Sequence, residues 1–383
     1  MTLDFLSVFT PSLMLSIGYI AAIAGSAFAV SLIITLWLVY SAAHHGHVTG
    51  DVDFSLPQKL HSRAVPRIGG VGIAGGMALA MGVQWVWGQG SWRAGLLLAA
   101  CALPAFGAGL LEDLTKRVSA TRRMFFTAVS ALLAAWLLGS VIDRTDIPGL
   151  DWAVSFPVVA ALLTVFAVAG VVNAVNIIDG LNGLASMCCV IILGSLSVVA
   201  FTVGDPELAV LGLACVGAVL GFFFWNFPLG LIFLGDGGAY LLGFLVAEIS
   251  ILLLHRNAEI SPLFPLLLCI YPIFETLFSI YRRKVLRGRP ADMPDAAHLH
   301  SLIYRRFMRW VVGSDSSHAL TRRNSMTSPY LWTLCMLSAV PATIFWNNTP
   351  VLAGFIGLFI ASYLYLYWSI IRFKTPRWLV VRR

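Results

Sequence analysis

Asp236 is the acid in this sequence whose surroundings point most strongly to chemistry. It lies between Gly235 and Gly237 in a very apolar stretch, GLIFLGDGGAYLLGF. A carboxylate at the centre of a membrane helix costs about 2.5–3.5 kcal/mol, so an acid in or beside an apolar span is a functional candidate by default. Its small neighbours leave room for a bulky anion and a hydrated metal, and Mg²⁺ uses one or two carboxylates with waters and substrate phosphates. The pattern predicts Asp236 as a Mg²⁺ ligand, with a helix N-cap as the structural alternative.

Glu112 and Asp113 are adjacent acids at the end of another apolar run, GLLEDLTKR. Adjacent residues on a helix point about 100° apart, so one of the two acids could face a metal or a nucleophile while the other holds a loop. Acids are disfavoured at the C-terminus of a helix, where the dipole is negative. That mismatch favours a functional interpretation, with a solvated helix end as the alternative.

Polar side chains recur at every third position of NAVNIIDGLNGLA. The four are Asn173, Asn176, Asp179 and Asn182. We expect the glycines of this segment to break the helix and fold the polar groups round one point. Three amides and a carboxylate suit a base, a ribose or a sugar better than a metal alone. Asn226 lies upstream of Asp236 across a bend that contains proline, and it joins this set of candidates.

Two basic connections supply cations. The first, DFSLPQKLHSRAVPRIGG, carries Lys59 and Arg67 before two glycines that open a helix, where a backbone can approach an anion. The second, from Arg282 to Arg306, carries Arg283 and Arg289. All four cations suit phosphates, and the alternative is a basic loop attracted to lipid headgroups.

His298 and His300 follow in the second basic connection, two positions apart. In an extended segment this spacing puts both imidazoles on one face. No cysteine or third histidine lies close by in the sequence, so a zinc site is not expected. Imidazoles among basic residues suit a diphosphate or a proton transfer.

The elements that must hold these residues are predicted to be membrane helices. Of 383 residues, 59% are hydrophobic and 11% are charged, against about 25% charged in soluble domains. The mean hydropathy is +0.86. This composition excludes a soluble enzyme, a disordered chain and a secreted disulfide scaffold. The apolar runs are too long for barrel strands, so an all-α, polytopic bundle of about 11 spans is predicted. The predicted spans are 12–40, 68–88, 93–112, 124–142, 152–172, 184–203, 207–225, 231–254, 261–281, 328–347 and 350–371.

Basic residues set the predicted orientation. All but Arg93, Arg144 and Arg256 of the 25 lysines and arginines fall on one side of these spans. The positive-inside rule makes that side cytoplasmic, with the N-terminus periplasmic and the C-terminus cytoplasmic. The net charge of +7 then reflects topology and not nucleic-acid binding. We expect a single integral-membrane domain, 1–383. Its active site is predicted in five cytoplasmic loops, 42–67, 113–123, 173–183, 226–236 and 282–327.

Five motifs in order carry a family resemblance: VPRIGG, GLLEDL, NAVNIIDGLNGLA, the NFP…GD segment and HLH. Over roughly residues 53–306 the chain resembles the polyprenyl-phosphate N-acetylhexosamine-1-phosphate transferases. These include the bacterial undecaprenyl-phosphate GlcNAc-1-phosphate transferases and, more distantly, the UDP-MurNAc-pentapeptide translocase. The resemblance implies transfer of HexNAc-1-phosphate from a UDP-sugar to undecaprenyl phosphate, with UMP released. It also implies Mg²⁺, with Mn²⁺ as a substitute, a multi-pass protein of the bacterial inner membrane, and a homodimer.

The resemblance implies roles for individual residues. Asp236 matches the magnesium ligand, with Asp113 as a second candidate ligand. Glu112 and Asp113 match paired acids, one of which is thought to activate the lipid phosphate. The remaining matches are Asn176 and Asp179 toward the nucleotide, Asn226 in the NFP segment, Lys59 toward a phosphate, and His298 and His300 near the diphosphate.

The chain departs from the family pattern at three positions. Glu112 stands where an aspartate is usual, which leaves Asp113 favoured for the precise role. Asn182 replaces an acid, which removes one charge near the nucleotide. Ser301 stands where a further histidine is common. The sugar and the polysaccharide pathway, whether O-antigen, teichoic acid, capsule or glycoprotein, stay open.

The sequence leaves alternatives open for the mechanism and for the class of function. The lipid phosphate has a second pKa near 6, so it is mostly dianionic at neutral pH and needs no strong base. A one-step displacement and a two-step route through a phospho-aspartate both fit the residues. The main competing function is a transporter or lipid flippase, and a non-catalytic scaffold is the third. Transporters often place polar groups near the bilayer midplane on repeated broken helices, whereas these motifs lie at one face.

Overall fold

The structure is a computed structural model that describes residues 11–42, 65–87, 92–286, 288, 297–308 and 317–372. Over these residues it is helical and contains no strand, which confirms the predicted all-α class. Two helices continue as wider π-helical turns, Arg282–Leu286 after the helix Ile270–Tyr281 and Ile303–Met308 after the helix Leu299–Leu302. The helices in chain order are α1 (Pro11–Tyr40), α2 (Gly69–Val86), α3 (Trp92–Thr115), α4 (Ala120–Leu138), α5 (Leu150–Val154), α6 (Pro157–Ile178), α7 (Leu184–Thr202), α8 (Pro206–Asn226), α9 (Gly235–Arg256), α10 (Leu263–Leu268), α11 (Ile270–Tyr281), α12 (Leu299–Leu302), α13 (Ser317–Ile344) and α14 (Thr349–Ile371).

Within the described ranges, 9 helices are long and apolar enough to cross a membrane. They are α1 to α4, α6 to α9, and α14. The predicted span 261–281 is divided at Cys269 into α10 and α11. The predicted span 328–347 lies within α13, which begins earlier and carries polar residues in its first half. The total of about eleven spans and the orientation of the termini stay predictions.

The helix that carries the asparagine motif is shifted along the chain from its predicted position. The span was expected over 152–172, but α6 runs from Pro157 to Ile178. Proline suits the first helical position because its fixed φ is already helical and its missing N–H is not needed there. Asn173 and Asn176 therefore lie on the last turns of a helix instead of in the predicted loop 173–183. The chain turns before Gly183, which has a φ of +71° and precedes α7.

Helix α9 forms the centre of the bundle. Nearly all of its residues are buried, and it packs against α2, α3, α6 and α7. Gly109 lets α3 approach the start of α9, because a Cβ atom there would lie 2.7 Å from the Asp236 carbonyl. The end of α3 thus meets the beginning of α9.

The segment before α2 is tied to the segment before α9 by backbone hydrogen bonds. Phe233 donates to the carbonyl of Pro66 at 2.8 Å, and Gly69 donates to the carbonyl of Phe233 at 3.0 Å. Gly70 donates to the carbonyl of Leu234 at 3.1 Å. This pairing carries Arg67 to the N-terminus of α9, where Asp236 lies.

Candidate active site

Asp113 caps the N-terminus of α9. One carboxylate oxygen accepts the backbone N–H of Asp236 at 2.9 Å, and the other accepts that of Gly237 at 2.8 Å. The side chain is 1% exposed. An acid at the C-terminus of its own helix is unfavourable, but here it serves the positive end of another helix. The N-cap considered for Asp236 is thus supplied by Asp113.

The carboxylate of Asp236 is the partly exposed acid of this pair, with 14% of its side chain accessible. Asn176 donates its side-chain N–H to one oxygen at 3.0 Å. Arg123 donates to the other oxygen, and the Arg67 guanidinium lies 3.7 Å from the first. Arg67 also reaches Asp113, at 4.0 Å. Helices α3, α4, α6 and α9 and the segment before α2 therefore meet at one acidic cluster.

Two arginines make this cluster close to electrically balanced. Arg67 was predicted to bind phosphate, while Arg123 entered the sequence analysis only through the topology count. Arg123 lies in the first turn of α4, and its guanidinium also lies over the ring of Tyr240, 5.5 Å from the ring centroid. Two guanidiniums beside one exposed carboxylate form a site that can hold a phosphate or diphosphate.

Glu112 has a different task from that of Asp113. Its carboxylate accepts the backbone N–H of Val118 at 2.6 Å, within the connection between α3 and α4. This matches the expectation that one acid of the pair holds a loop. The catalytic roles of both acids stay predictions.

The turn between α6 and α7 places Asp179 next to the cluster. Asn173 and Asp179 are half-buried, and Asn176 already contacts Asp236. Burial raises the pKa of the Asp179 carboxyl well above its usual range, although the positive charge of Arg67 opposes that rise. A neutral Asp179 can both donate and accept hydrogen bonds, which suits a base or a ribose.

Asn182 and Asn226 hold this turn in place. The backbone N–H of Asn182 donates to the side chain of Asn324 at 2.8 Å, and Ser328 donates to its carbonyl at 2.6 Å. The side-chain oxygen of Asn226 accepts the N–H of Gly183 at 2.6 Å, and its NH₂ group donates to the carbonyl of Ile232 at 2.7 Å. The side-chain NH₂ group of Asn182 donates to the carbonyl of Pro228 at 3.3 Å. Both asparagines are buried, and any substrate contact by them stays a prediction.

The first half of α13 covers the same turn. Besides Asn324 and Ser328, Trp332 donates its indole N–H to the carbonyl of Gly183 at 3.0 Å. Its ring packs against Phe227, with centroids 4.9 Å apart. These residues were not singled out from the sequence, since polar residues at a helix start are common and signal no particular partner.

His298 and His300 are brought together, but not by the predicted extended segment, since His300 lies on α12 and His298 immediately precedes it. Their rings stack with centroids 5.3 Å apart and an interplanar angle of 5°. His300 lies against the turn between α6 and α7, because a Cβ on Gly180 would come within 2.8 Å of its Nε2. His298 pairs with Glu275, at 3.1 Å, an acid the sequence analysis did not single out.

The remaining predicted cations divide into two groups. The guanidinium of Arg283 donates to the hydroxyl of Ser279, at 3.1 Å, one turn back along the helix. Lys59 and Arg289 lie outside the described residues. Phosphate binding by all three stays a prediction.

The acidic side chains of this site suit the coordination that Mg²⁺ prefers. No cluster of three or more His, Cys, Asp or Glu side chains suited to a metal occurs in the part of the chain that the structure describes. Mg²⁺ does not require one, because it keeps several waters and binds one or two carboxylates plus phosphates. Asp236 fits that role as a partly exposed carboxylate, whereas both oxygens of Asp113 already accept backbone N–H groups.

The known proteins that are similar to this chain are named as transferases. A family model described as glycosyl transferase family 4 matches residues 95–254. A probable undecaprenyl-phosphate N-acetylglucosaminyl 1-phosphate transferase of Bacillus subtilis is 30% identical over 275 residues, 72% of this chain and 75% of the relative. An undecaprenyl-phosphate alpha-N-acetylglucosaminyl 1-phosphate transferase of Thermotoga maritima is 29% identical over 66% of this chain and 72% of the relative. A phospho-N-acetylmuramoyl-pentapeptide-transferase of Geobacillus kaustophilus is 35% identical over 38% of this chain and 47% of the relative.

Proposed function

This chain belongs to glycosyl transferase family 4, among the polyprenyl-phosphate N-acetylhexosamine-1-phosphate transferases, and from that premise we propose its reaction. It transfers N-acetylhexosamine-1-phosphate from a UDP-sugar to undecaprenyl phosphate. The products are undecaprenyl-diphosphate-HexNAc and UMP. This is the first membrane step in making a cell-envelope polysaccharide.

One observation carries the proposal: Asp236 lies with Arg67, Arg123 and Asn176 at the ends of three membrane helices and the segment before α2. Phosphoryl transfer needs little covalent chemistry from the protein and depends on positioning and on stabilising negative charge. The cluster supplies two cations for phosphate oxygens and a carboxylate for a divalent ion. A site at the ends of membrane helices also suits an acceptor whose phosphate lies at the bilayer surface.

Asp236 is the residue that would hold Mg²⁺, and the ion when bound would offset the negative charge that develops on the diphosphate. Asn176 keeps the Asp236 carboxylate oriented through its hydrogen bond. Asp113 fixes the first turn of α9 and so fixes where Asp236 lies. Arg67 and Arg123 bind the anionic oxygens of donor and acceptor.

The remaining side chains of the site contact different parts of the substrates. Asn173 at the end of α6 and Asp179 in the turn that follows it face the nucleotide. Asn324 and Asn226 hold that turn by accepting the backbone N–H groups of Asn182 and Gly183. The histidine pair meets the diphosphate of the donor. No strong general base is needed, since the lipid phosphate is already mostly dianionic at neutral pH.

The proposal includes a location. Because basic residues concentrate on one side of the spans, the site faces the cytoplasm at the bacterial inner membrane, with the N-terminus periplasmic. We also propose that the protein works as a homodimer.

An assay of purified protein in detergent tests the reaction. Undecaprenyl phosphate and a panel of UDP-HexNAc donors are supplied, and UMP release is measured with Mg²⁺, with Mn²⁺ and with EDTA. We expect release that depends on lipid and metal and that falls at least 100-fold in Asp236→Asn. Asp143→Asn, an exposed acid in the connection after α4, is the matched control and should retain activity. Solute uptake without UMP release would instead support a transporter.

A further inference from the structure

Glu275 is a buried acid at the centre of a hydrogen-bonded group outside the Asp236 cluster. It lies on α11 and is 1% exposed. One carboxylate oxygen accepts the backbone N–H of Leu299 at 2.9 Å and contacts Nδ1 of His298 at 3.1 Å. The other accepts the hydroxyl of Tyr363 at 2.9 Å. A buried carboxylate is normally paired or fully hydrogen-bonded, and here the partners include an imidazole.

This contact settles which nitrogen of His298 carries hydrogen. A carboxylate that accepts from Nδ1 fixes the Nδ1–H tautomer and leaves Nε2 as the acceptor nitrogen of the ring. A carboxylate behind a histidine therefore sets both its orientation and its tautomer.

The stacked ring of His300 follows the orientation of His298. The two rings lie with centroids 5.3 Å apart and an interplanar angle of 5°, so a change in the position of one ring moves its contact with the other. The titratable groups around the pair come from four elements. They are Glu275, Tyr271 and Arg282 from α11 and its extension, Tyr363 and Tyr367 from α14, the two histidines themselves, and Asp179 from the turn between α6 and α7.

Hydrogen bonds hold the backbone just before the histidines, so His298 has a defined position relative to Glu275. The Arg282 guanidinium donates to the carbonyl of Ala297 at 2.6 Å and to the hydroxyl of Tyr367 at 2.7 Å. The far side of the pair lies against Gly180, next to Asp179. Helix α6, which ends just before this turn, also contacts Asp236 through Asn176. The histidine pair and the acidic cluster therefore both lie against the end of α6 and the turn that follows it.

We propose that Glu275 is a positioning residue: its carboxylate holds His298 in the Nδ1–H tautomer and fixes the orientation of the histidine pair where it meets the diphosphate of the sugar nucleotide. This inference rests on the proposed function for the identity of the ligand. It assigns Glu275 no contact with substrate. Its effect on the reaction passes entirely through His298.

Four variants and a control test this assignment. Glu275→Leu removes both acceptor oxygens, so Nδ1 of His298 loses the carboxylate beside it. Glu275→Asp keeps the charge on a shorter arm. His298→Ala and the double variant Glu275→Leu/His298→Ala complete a thermodynamic cycle. Glu248→Leu is the matched control, because Glu248 is also fully buried and accepts a hydrogen bond from the hydroxyl of Ser140, but it has no histidine partner.

The kinetic readout is kcat/KM for UMP release from the UDP-sugar. We expect Glu275→Leu to lower it by about 10–100-fold, as for other carboxylates that orient functional histidines. Glu275→Asp should recover part of the loss, and Glu248→Leu should stay within about twofold of wild type. In the His298→Ala background the Glu275→Leu change should have almost no further effect. If the two losses multiply instead, Glu275 does not act through His298 and the assignment is wrong.

A spectroscopic readout separates this inference from the proposed function. In protein with ¹⁵N-labelled histidine, assigned with the His298→Ala variant, Nδ1 of His298 should be protonated in the wild type, and its signal should change in Glu275→Leu. An unchanged spectrum would overturn the inference even if both variants lose activity. If the wild type releases no UMP from any donor, the proposed function fails, and the spectrum alone decides whether Glu275 sets the tautomer.

Discussion

Replacing Asp113 with asparagine separates the two roles open to this acid, a cap on α9 and a direct contact with substrate. Both of its oxygens accept a backbone N–H. Asparagine keeps one acceptor but turns an NH₂ group toward the second N–H, which leaves a buried donor unpaired at about 1–3 kcal/mol. The surviving bond loses its charged acceptor, worth about 1 kcal/mol. Loss of negative charge at the N-terminus of α9 removes about 0.3–1 kcal/mol more.

Two effects oppose this loss. A neutral amide is easier to bury than a carboxylate, and the change removes the repulsion between Asp113 and Asp236. Arg67, at 4.0 Å, loses a partner, but it is partly exposed and keeps Asp236, so its contribution is small. We expect a net fall of about 2–4 kcal/mol in the free energy of unfolding.

Unfolding by SDS in mixed micelles, followed by tryptophan fluorescence, measures this change beside UMP release. Asp113→Asn should unfold at a lower SDS fraction than wild type and should also lose activity. Asp236→Asn, at a partly exposed carboxylate, should lose activity with a smaller change in unfolding. An inactive Asp113→Asn protein that unfolds at the same SDS fraction as wild type would refute the cap and favour a direct role in the chemistry.

Three further changes test the scaffold. Gly109→Ala places a Cβ 2.7 Å from the backbone of Asp236, so stability should fall by about 1–3 kcal/mol and activity with it, whereas Gly107→Ala meets nothing within 4 Å and should be neutral or stabilising. Asn226→Ala leaves the N–H of Gly183 and the carbonyl of Ile232 without their partner, so the free energy of unfolding measured in SDS should fall by about 2–5 kcal/mol. Arg123→Gln removes a cation that competes for the Asp236 carboxylate, so calorimetry should show tighter Mg²⁺ binding while UMP release falls. Weaker Mg²⁺ binding in this variant would contradict that competition.

The sequence located the acids well but could not assign their tasks. Asp236 stood out because a charge between glycines in an apolar run has few structural explanations, and it is the partly exposed acid of the cluster. Asp113 stood out because an acid is unfavourable at the end of its own helix. The explanation lies in α9, more than a hundred residues away in the chain, whose amide groups it caps. Such a pairing depends on the packing of α3 on α9, which hydropathy does not encode.

Arg123 and Glu275 were missed for different reasons. Arg123 looked like one of many cytoplasmic basic residues, and only the packing of α4 brings it to Asp236. Glu275 could have been found, because an acid inside the predicted apolar span 261–281 is as costly as Asp236. It was not identified because it lies outside the five motifs. The predicted span itself divides at Cys269, and Glu275 lies on its second helix, where it meets the histidine segment.

The geometry also distinguishes the two routes that the sequence left open for the proposed transfer. A two-step route needs a carboxylate oxygen that can attack the donor phosphorus. Asp113 is 1% exposed and would have to release the first turn of α9, while Glu112 is bound to the connection after α3. Burial raises the pKa of the Asp179 carboxyl well above its usual range, which disfavours the ionised form that could attack phosphorus. Asp236 is the acid assigned to the divalent ion. The lipid phosphate, already dianionic, is therefore the nucleophile that this arrangement favours, in a single displacement for which the acids provide position and charge balance.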